Sequence, residues 1–105
     1  MNDTADERKA LWAKLNGETA QLAWSELARH FARGVVIRID PALDLIGVAV
    51  AVVSDDRDAV AAWTESGAMV HASEDDARRW HETDAVFWAV VTAPWVLVQE
   101  ITAAD

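Results

Sequence analysis

The stretch "TAPWVLVQE", Thr92 to Glu100, decides which folds are open to this chain of 105 residues. It follows a second apolar run, Val86 to Val91, so two strands' worth of apolar residues lie side by side. Val86 to Val91 is apolar on both faces, which predicts a strand covered on both sides. Pro94 has no N–H and cannot lie inside a fully paired ladder. Two arrangements fit: a hairpin that turns at residues 92–94, or one long strand with a bulge and an unpaired edge at Pro94.

Helical periodicity and capping signals predict about five helices in the rest of the chain. They cover residues 5–15, 23–33, 43–53, 55–66 and 74–84, to within a few residues at each end. Asn16-Gly17 is expected to stop the first, and Gly34 and Gly67 to end the second and fourth. Ser54 or Asp55 is the expected cap of the fourth, and Ser73 to Asp76 resembles a capping box for the fifth. Short β-branched or apolar runs at residues 35–39 and 68–72 predict strands.

Residues 43–53 admit two interpretations. Their abundance of Val and Ile suits a strand. Asp40-Pro41, however, places an N-cap residue before a proline at the first helical position. Leu43, Ile46 and Val50 then follow a helical stripe, so we favour a buried helix. The whole pattern predicts one α+β domain, residues 1–105, in which about five helices pack on a sheet of three or four strands. Residues 1–4 and 102–105 are expected to be loose ends.

Composition and charge exclude several classes of protein. Because the chain has no cysteine, it has no disulfide, thiol nucleophile or cysteine-based metal site. The acidic start lacks the features of a signal peptide, and no apolar run reaches the roughly 20 residues needed to span a bilayer, so we expect a cytoplasmic protein and no membrane contact. The net charge is −9, and residues 54–84 hold nine acids against three bases. This argues against binding nucleic acid and permits a basic protein partner.

No motif in the chain predicts chemistry. His71, Glu74, Asp75 and His81 are residue types that bind metals, but their spacing matches no metal motif. The chain has no Gly-x-Ser-x-Gly elbow and no glycine-rich phosphate loop. We therefore predict no metal, no cofactor and no catalytic residue, and an enzyme is unsupported.

The chain has six tryptophans, which is a large number of bulky side chains for the core of a 105-residue domain. Since tryptophan is seldom fully buried, we expect at least one at a binding surface. Trp95 is the first choice, because Pro94 indicates an edge strand that needs to be covered. The candidate interface is Pro94, Trp95, Val96 and Val98, and its simplest occupant is a second copy of the chain across a two-fold axis.

A polar set offers the alternative of a binding pocket. Glu18, Asp44, Gln99 and Glu100 are the candidate lining residues, with Thr19 and Glu26 in the same segments. Converging carboxylates there would favour a small-molecule-binding or catalytic domain. A third possibility is an acidic regulator of a basic partner, which needs the charges of residues 54–84 on one continuous face.

Four blocks of the chain resemble the bacterial family known as domain of unknown function 2288. They are "KLNGETA" (14–20), "WSELARHFARG" (24–34), "LDLIGVAVAVVSDD" (43–56) and "WAVVTAPWVLVQE" (88–100). The resemblance implies a bacterial, stand-alone domain and implies no activity, cofactor or catalytic residue. The sequence therefore favours a small cytoplasmic interaction or assembly module, self-associating as a homodimer.

Overall fold

The computed structural model describes the backbone of residues 3–101 and the side chains of residues 6–101. Between those limits the helices are α1 (Asp3–Glu18), α2 (Trp24–Ala32), α3 (Leu45–Val53), α4 (Arg57–Ser66) and α5 (Glu74–Thr83). The strands are β1 (Ala20–Ala23), β2 (Val36–Ile39), β3 (Met69–His71), β4 (Val86–Thr92) and β5 (Trp95–Glu100). The α+β class and the number of helices are confirmed. The sheet has five strands rather than three or four, and β1 is the strand that was missed.

The strands form one mixed sheet in the order β1-β4-β5-β2-β3. β5 pairs in antiparallel fashion with β4 and in parallel with β2, so it is a central strand. The prediction that the Pro94–Trp95 step marks a sheet edge is wrong. Of the two arrangements, the chain adopts the hairpin: Pro94 lies in the turn, outside the ladder, and its missing N–H therefore leaves both sides of β5 free to pair.

Helices cover both faces of the sheet. On one face α1, α3 and α4 pack over residues such as Ile37, Val90 and Leu97. On the other face α2 and α5 pack over residues such as Phe87 and Val98. The sheet is thus the middle layer of three, and the core is split into two apolar clusters.

The prediction that β4 is covered on both sides holds for only part of the strand. Phe87, Ala89 and Val90 are buried, but Val86, Trp88 and Val91 are more than one-third exposed. Val91 points to the face of α2 and α5. Those helices are about 14–15 Å long, whereas a seven-residue strand extends about 23 Å, so they leave the end of β4 uncovered.

Residues 45–53 form a helix, as favoured, but its start differs from the prediction. Asp40 does not cap α3: its carboxylate accepts the N–H of Ala42 at 2.8 Å and closes a turn. The amide of Gln99 then anchors this turn by donating to the Asp40 and Leu43 carbonyls at 3.0 and 2.7 Å. The helix begins only after Asp44, because the preceding carbonyls are held by β5.

Helix caps set the ends of α4 and α5, and β3 lies between these two helices along the chain. Asp56, rather than Ser54 or Asp55, caps α4 by accepting the N–H of Ala59 at 3.2 Å. Gly67 ends α4 at φ 82°, the left-handed conformation that favours glycine. The predicted capping box of α5 is confirmed, since Ser73 and Asp76 each accept the other's N–H at 3.0 Å.

The chain ends differ in part from their predictions. Asn16-Gly17 does not stop α1, which continues to Glu18, and residues 3 and 4 belong to this helix. Residues 1–2 and 102–105, predicted as loose ends, lie outside the described residues. None of the helices described is long and apolar enough to cross a membrane.

Candidate functional site

A groove of about 690 Å³ lies between α4 and the part of the sheet formed by β5, β2 and β3. Its floor consists of strand residues Ile37, Met69, Val70, His71 and Trp95. Its wall consists of helical residues Val52, Val60, Ala61 and Thr64. Its mouth carries the charged residues Asp55, Asp56 and Arg57. We call this site the Trp95 groove.

Strand register brings the floor together. Ile37 lies opposite His71 in the β2–β3 pair, so both side chains point to the face that α4 covers. Trp95 and Leu97 point to the same face from β5, and Leu97 is fully buried while Trp95 is only half-buried. The His71 and Trp95 rings meet edge to face, with centroids 5.4 Å apart and planes at 78°. Two aromatic rings from strands far apart in sequence therefore span the floor.

The charged groups of the groove lie at its mouth. The Arg57 Nε lies 3.4 Å from an Asp55 carboxylate oxygen, and both side chains are exposed. The Thr64 hydroxyl donates to the Val60 carbonyl at 2.8 Å, inside its own helix. An apolar interior with charged groups at the rim suits an apolar side chain whose polar end stays in water. Within residues 6–101, no three His, Asp or Glu side chains converge as a metal site would require.

β3 forms one side of the groove and is also the last strand of the sheet. Ala72 donates to the Val36 carbonyl and Asp40 to the Ala68 carbonyl. Antiparallel ladders alternate, so the main-chain N–H and C=O of Val70 face β2 and those of Met69 and His71 face outward. The opposite edge, β1, is protected differently: its Ala23 N–H is accepted by the Glu26 carboxylate at 3.4 Å. An open pair of main-chain positions therefore lies beside the Trp95 groove.

The acidic residues between positions 54 and 84 lie on both sides of β3. α4 packs on the groove face of the sheet through Trp63, and α5 packs on the other face through Trp80. The acids of residues 54–84 therefore lie on two faces of the sheet, rather than on the one continuous face that an acidic regulator was expected to need.

Asp76 differs from the other acids because it is buried, with 3% of its surface exposed. Burial raises the pKa of its carboxyl, but the Ser73 N–H and the charges of Arg38 and Arg79 outweigh it, and the pKa lies below its ordinary value. Arg38 lies on β2, so this ion pair fastens α5 to the sheet next to β3. The Asp76 carboxylate therefore helps to hold α5 and β2 in place next to the edge strand β3.

The structure does not bring the predicted pocket residues together. Asp44 and Gln99 share a cleft of about 300 Å³ with Trp88. Glu18 lines a separate cleft of about 350 Å³ beside Thr92. Glu100 lies on the opposite face of the sheet from Gln99 and accepts the Trp80 indole N–H at 3.0 Å. The carboxylates of Glu18, Asp44 and Glu100 therefore do not converge on one site.

The predicted interface residues have different surroundings. Trp95 lines the groove, and Pro94 is exposed in the hairpin turn. Val96 and Val98 are buried under α2 and α5, with 3% and 0% of their surface exposed, and cannot contact a partner. Sequence reasoning missed His71, Met69 and Ala61 as groove residues. The sequence placed Met69 and His71 on a predicted strand and Ala61 on a predicted helix, but it did not show that they meet, because the groove forms by pairing of distant segments.

Comparisons with known proteins identify one family and one similar solved structure. The family described as "Protein of unknown function (DUF2288)" matches residues 10–100. The NMR solution structure of PA1075 from Pseudomonas aeruginosa is similar, with 48% identity and a TM-score of 0.79 over 91% of this chain and 90% of that one. No protein with curated annotation matches the chain significantly.

Proposed function

We propose that this chain, which belongs to the family of proteins of unknown function DUF2288, is an interaction module that binds a partner through the Trp95 groove. The proposal rests on one observation: a half-buried tryptophan lies in an apolar groove beside an open strand edge. Tryptophan is enriched among the residues that dominate binding energy, especially in pockets that become fully desolvated. A partner's apolar side chain would exclude water from Trp95, Ile37 and Val60 at once.

The chemistry of the groove supports binding rather than catalysis. Its one hydroxyl, on Thr64, donates to a helix carbonyl, whereas a nucleophile needs a base within hydrogen-bond reach. Of the two groove carboxylates, Asp55 is exposed and pairs with Arg57, and Asp56 accepts the Ala59 N–H as the cap of α4. A bacterial origin is also a proposal, supported by the similarity to the Pseudomonas aeruginosa protein, and the cytoplasmic location predicted from the sequence stays a prediction.

The direct test is selection of binding peptides from a random display library, with Ala61→Phe as the blocked form of the protein. Ala61 and Ala62 are adjacent, exposed residues of α4, but only Ala61 lines the groove. Ala62→Phe is therefore a matched control. We expect selected peptides to bind the wild type and Ala62→Phe equally, and to bind Ala61→Phe at least tenfold more weakly. Peptides that bind all three forms equally, or no selectable peptide at all, would contradict the proposal.

Self-association is kept as a second candidate, on a different surface. Val91 of β4 is 59% exposed and borders the cleft beside Thr92, at the end of the strand that α2 and α5 leave uncovered. An exposed apolar side chain on an uncovered part of the sheet suits a contact between subunits. Light scattering of the wild type, Trp95→Ala and Val91→Glu over a range of concentrations tests this. A dimer that Val91→Glu dissociates supports it, and a monomer at every concentration excludes it.

A further inference from the structure

We infer that the partner segment is an extended, positively charged peptide that adds to β3 as a sixth strand and inserts an apolar side chain into the Trp95 groove. This inference rests on the proposed function, because it specifies what occupies the same groove. Addition of a strand uses main-chain hydrogen bonds for affinity and pockets for alternate side chains for selectivity. Both features occur together at this edge of the sheet.

The main-chain part of the site is the outward side of β3. Met69 and His71 each direct one N–H and one C=O away from β2, which gives two donors and two acceptors along the edge. Among residues 3–101 no strand pairs with this side of β3, which is the last strand in the sheet order. An extended peptide satisfies these groups, whereas a helical one leaves them unpaired.

The side-chain part of the site follows from the strand alternation. Met69 and His71 project toward the groove, and residues directly opposite them on an added strand would project the same way. The floor continues from these residues across Ile37 to Trp95, a distance of two strand spacings or about 10 Å. A long apolar side chain, such as Leu, Met or Phe, is shorter than this distance and would pack on the outer part of the floor, at Met69 and His71, where the His71 ring contacts that of Trp95. The added strand would therefore carry apolar residues at every second position.

The charge part of the site comes from the flanks of β3. Asp55 and Asp56 lie at the mouth of the groove, and Glu74 and Asp75 begin α5 immediately after β3 on the other face. Residues 54–84 hold nine acids against three bases. A second copy of the chain would bring the same acids to this edge and be repelled, whereas lysine or arginine between the apolar residues would be attracted. The charge therefore selects a basic partner over self-pairing at β3.

The experiment uses groove-dependent peptides. These are the selected peptides that bind the wild type and bind Ala61→Phe at least tenfold more weakly. We expect them to alternate apolar with basic residues and to carry a net positive charge. N-methylation of the peptide backbone should weaken binding about tenfold at every second position and have little effect between them, because only alternate amides face β3. Groove-dependent peptides that are insensitive to N-methylation throughout would overturn this inference and leave the proposed function intact.

A matched pair of charge reversals on α5 tests the electrostatic part. Glu74 lies at the end of the helix next to β3, and Glu82 near the opposite end. Both side chains are exposed, and replacing either glutamate with lysine changes the net charge by the same two units. We expect Glu74→Lys to weaken peptide binding about fivefold at low ionic strength and Glu82→Lys to have little effect, with the difference closing in high salt. Equal effects of the two variants, or no loss of affinity with salt, would overturn the choice of a basic partner.

Discussion

Replacing Asp76 with asparagine should destabilise the fold in a way that depends on pH. The carboxylate is buried and accepts a hydrogen bond from the Ser73 N–H at 3.0 Å. It also pairs with Arg38 and, at 3.3 Å, with Arg79. Asparagine can retain the Ser73 bond through its side-chain oxygen but removes the negative charge. The variant therefore tests the two arginine contacts while preserving shape.

The magnitude follows from the exposure of the partners. A hydrogen bond to a charged group contributes about 1.5–3 kcal/mol. The Arg38 and Arg79 side chains are 39% and 50% exposed, so solvent screens both pairs and their contributions fall toward the lower end. We expect Asp76→Asn to lower the free energy of unfolding by about 2 kcal/mol at pH 7, and the melting temperature by about 10 °C.

The pH dependence has a definite sign. Because the folded-state pKa of Asp76 is lowered, its contribution is present above the ordinary carboxyl pKa and is lost as the pH falls through the folded-state value. The difference between wild type and variant should be constant from pH 7 to 5 and close below about pH 4.

Urea unfolding followed by circular dichroism at pH 7, 5 and 3.5 measures this difference directly. Asp75→Asn is the control, because Asp75 is exposed and pairs only with Arg78 among the described residues. It should cost less than about 1 kcal/mol. If Asp76→Asn lowered the free energy of unfolding as little as Asp75→Asn does, or if its effect grew as the pH fell, the reasoning would be refuted.

Three further substitutions test the packing, each by urea unfolding. A Cβ added at Gly47 would meet Asp44 and Trp12 atoms at an ordinary 3.6 Å, so Gly47→Ala should stabilise α3 by about 0.5–1 kcal/mol, and a loss would show that α3 is more tightly packed than described. Gly67→Ala should destabilise by about 1 kcal/mol because φ is 82° there, and a neutral result would contradict the left-handed end of α4. The buried Thr92 hydroxyl has no hydrogen-bond partner among the described residues, so Thr92→Val should stabilise by about 1 kcal/mol. Destabilisation by Thr92→Val would indicate that this hydroxyl is hydrogen-bonded in solution.

The predictions that succeeded depend on local chemistry. The Ser73–Asp76 capping box and the left-handed Gly67 each involve residues within one or two turns, so the sequence alone identifies them. The helix at 45–53 was also predictable in kind, but its start was not. Asp40 closes a turn held by Gln99, and that contact joins residues 59 positions apart.

The site was less predictable because it is assembled from distant segments. Pairing of Val36 with Val96 makes β5 central, and nothing in either segment specifies this parallel neighbour. β1 was missed because "AQLA" is short and has little β-branched character. Trp95 is half-buried, and its surroundings, including His71, depend on strand order. Strand order is set by the packing of the whole core and is not encoded in any one stretch.

Amide hydrogen exchange at β3 tests the central claim, that an open strand edge borders the Trp95 groove and receives the partner. In the free protein the Met69 and His71 amides should exchange much faster than that of Val70, which faces β2. On addition of a groove-dependent peptide, the Met69 and His71 amides should become protected, while Val70 changes little. Slow exchange of Met69 and His71 in the free protein, or no protection by the peptide, would contradict the account.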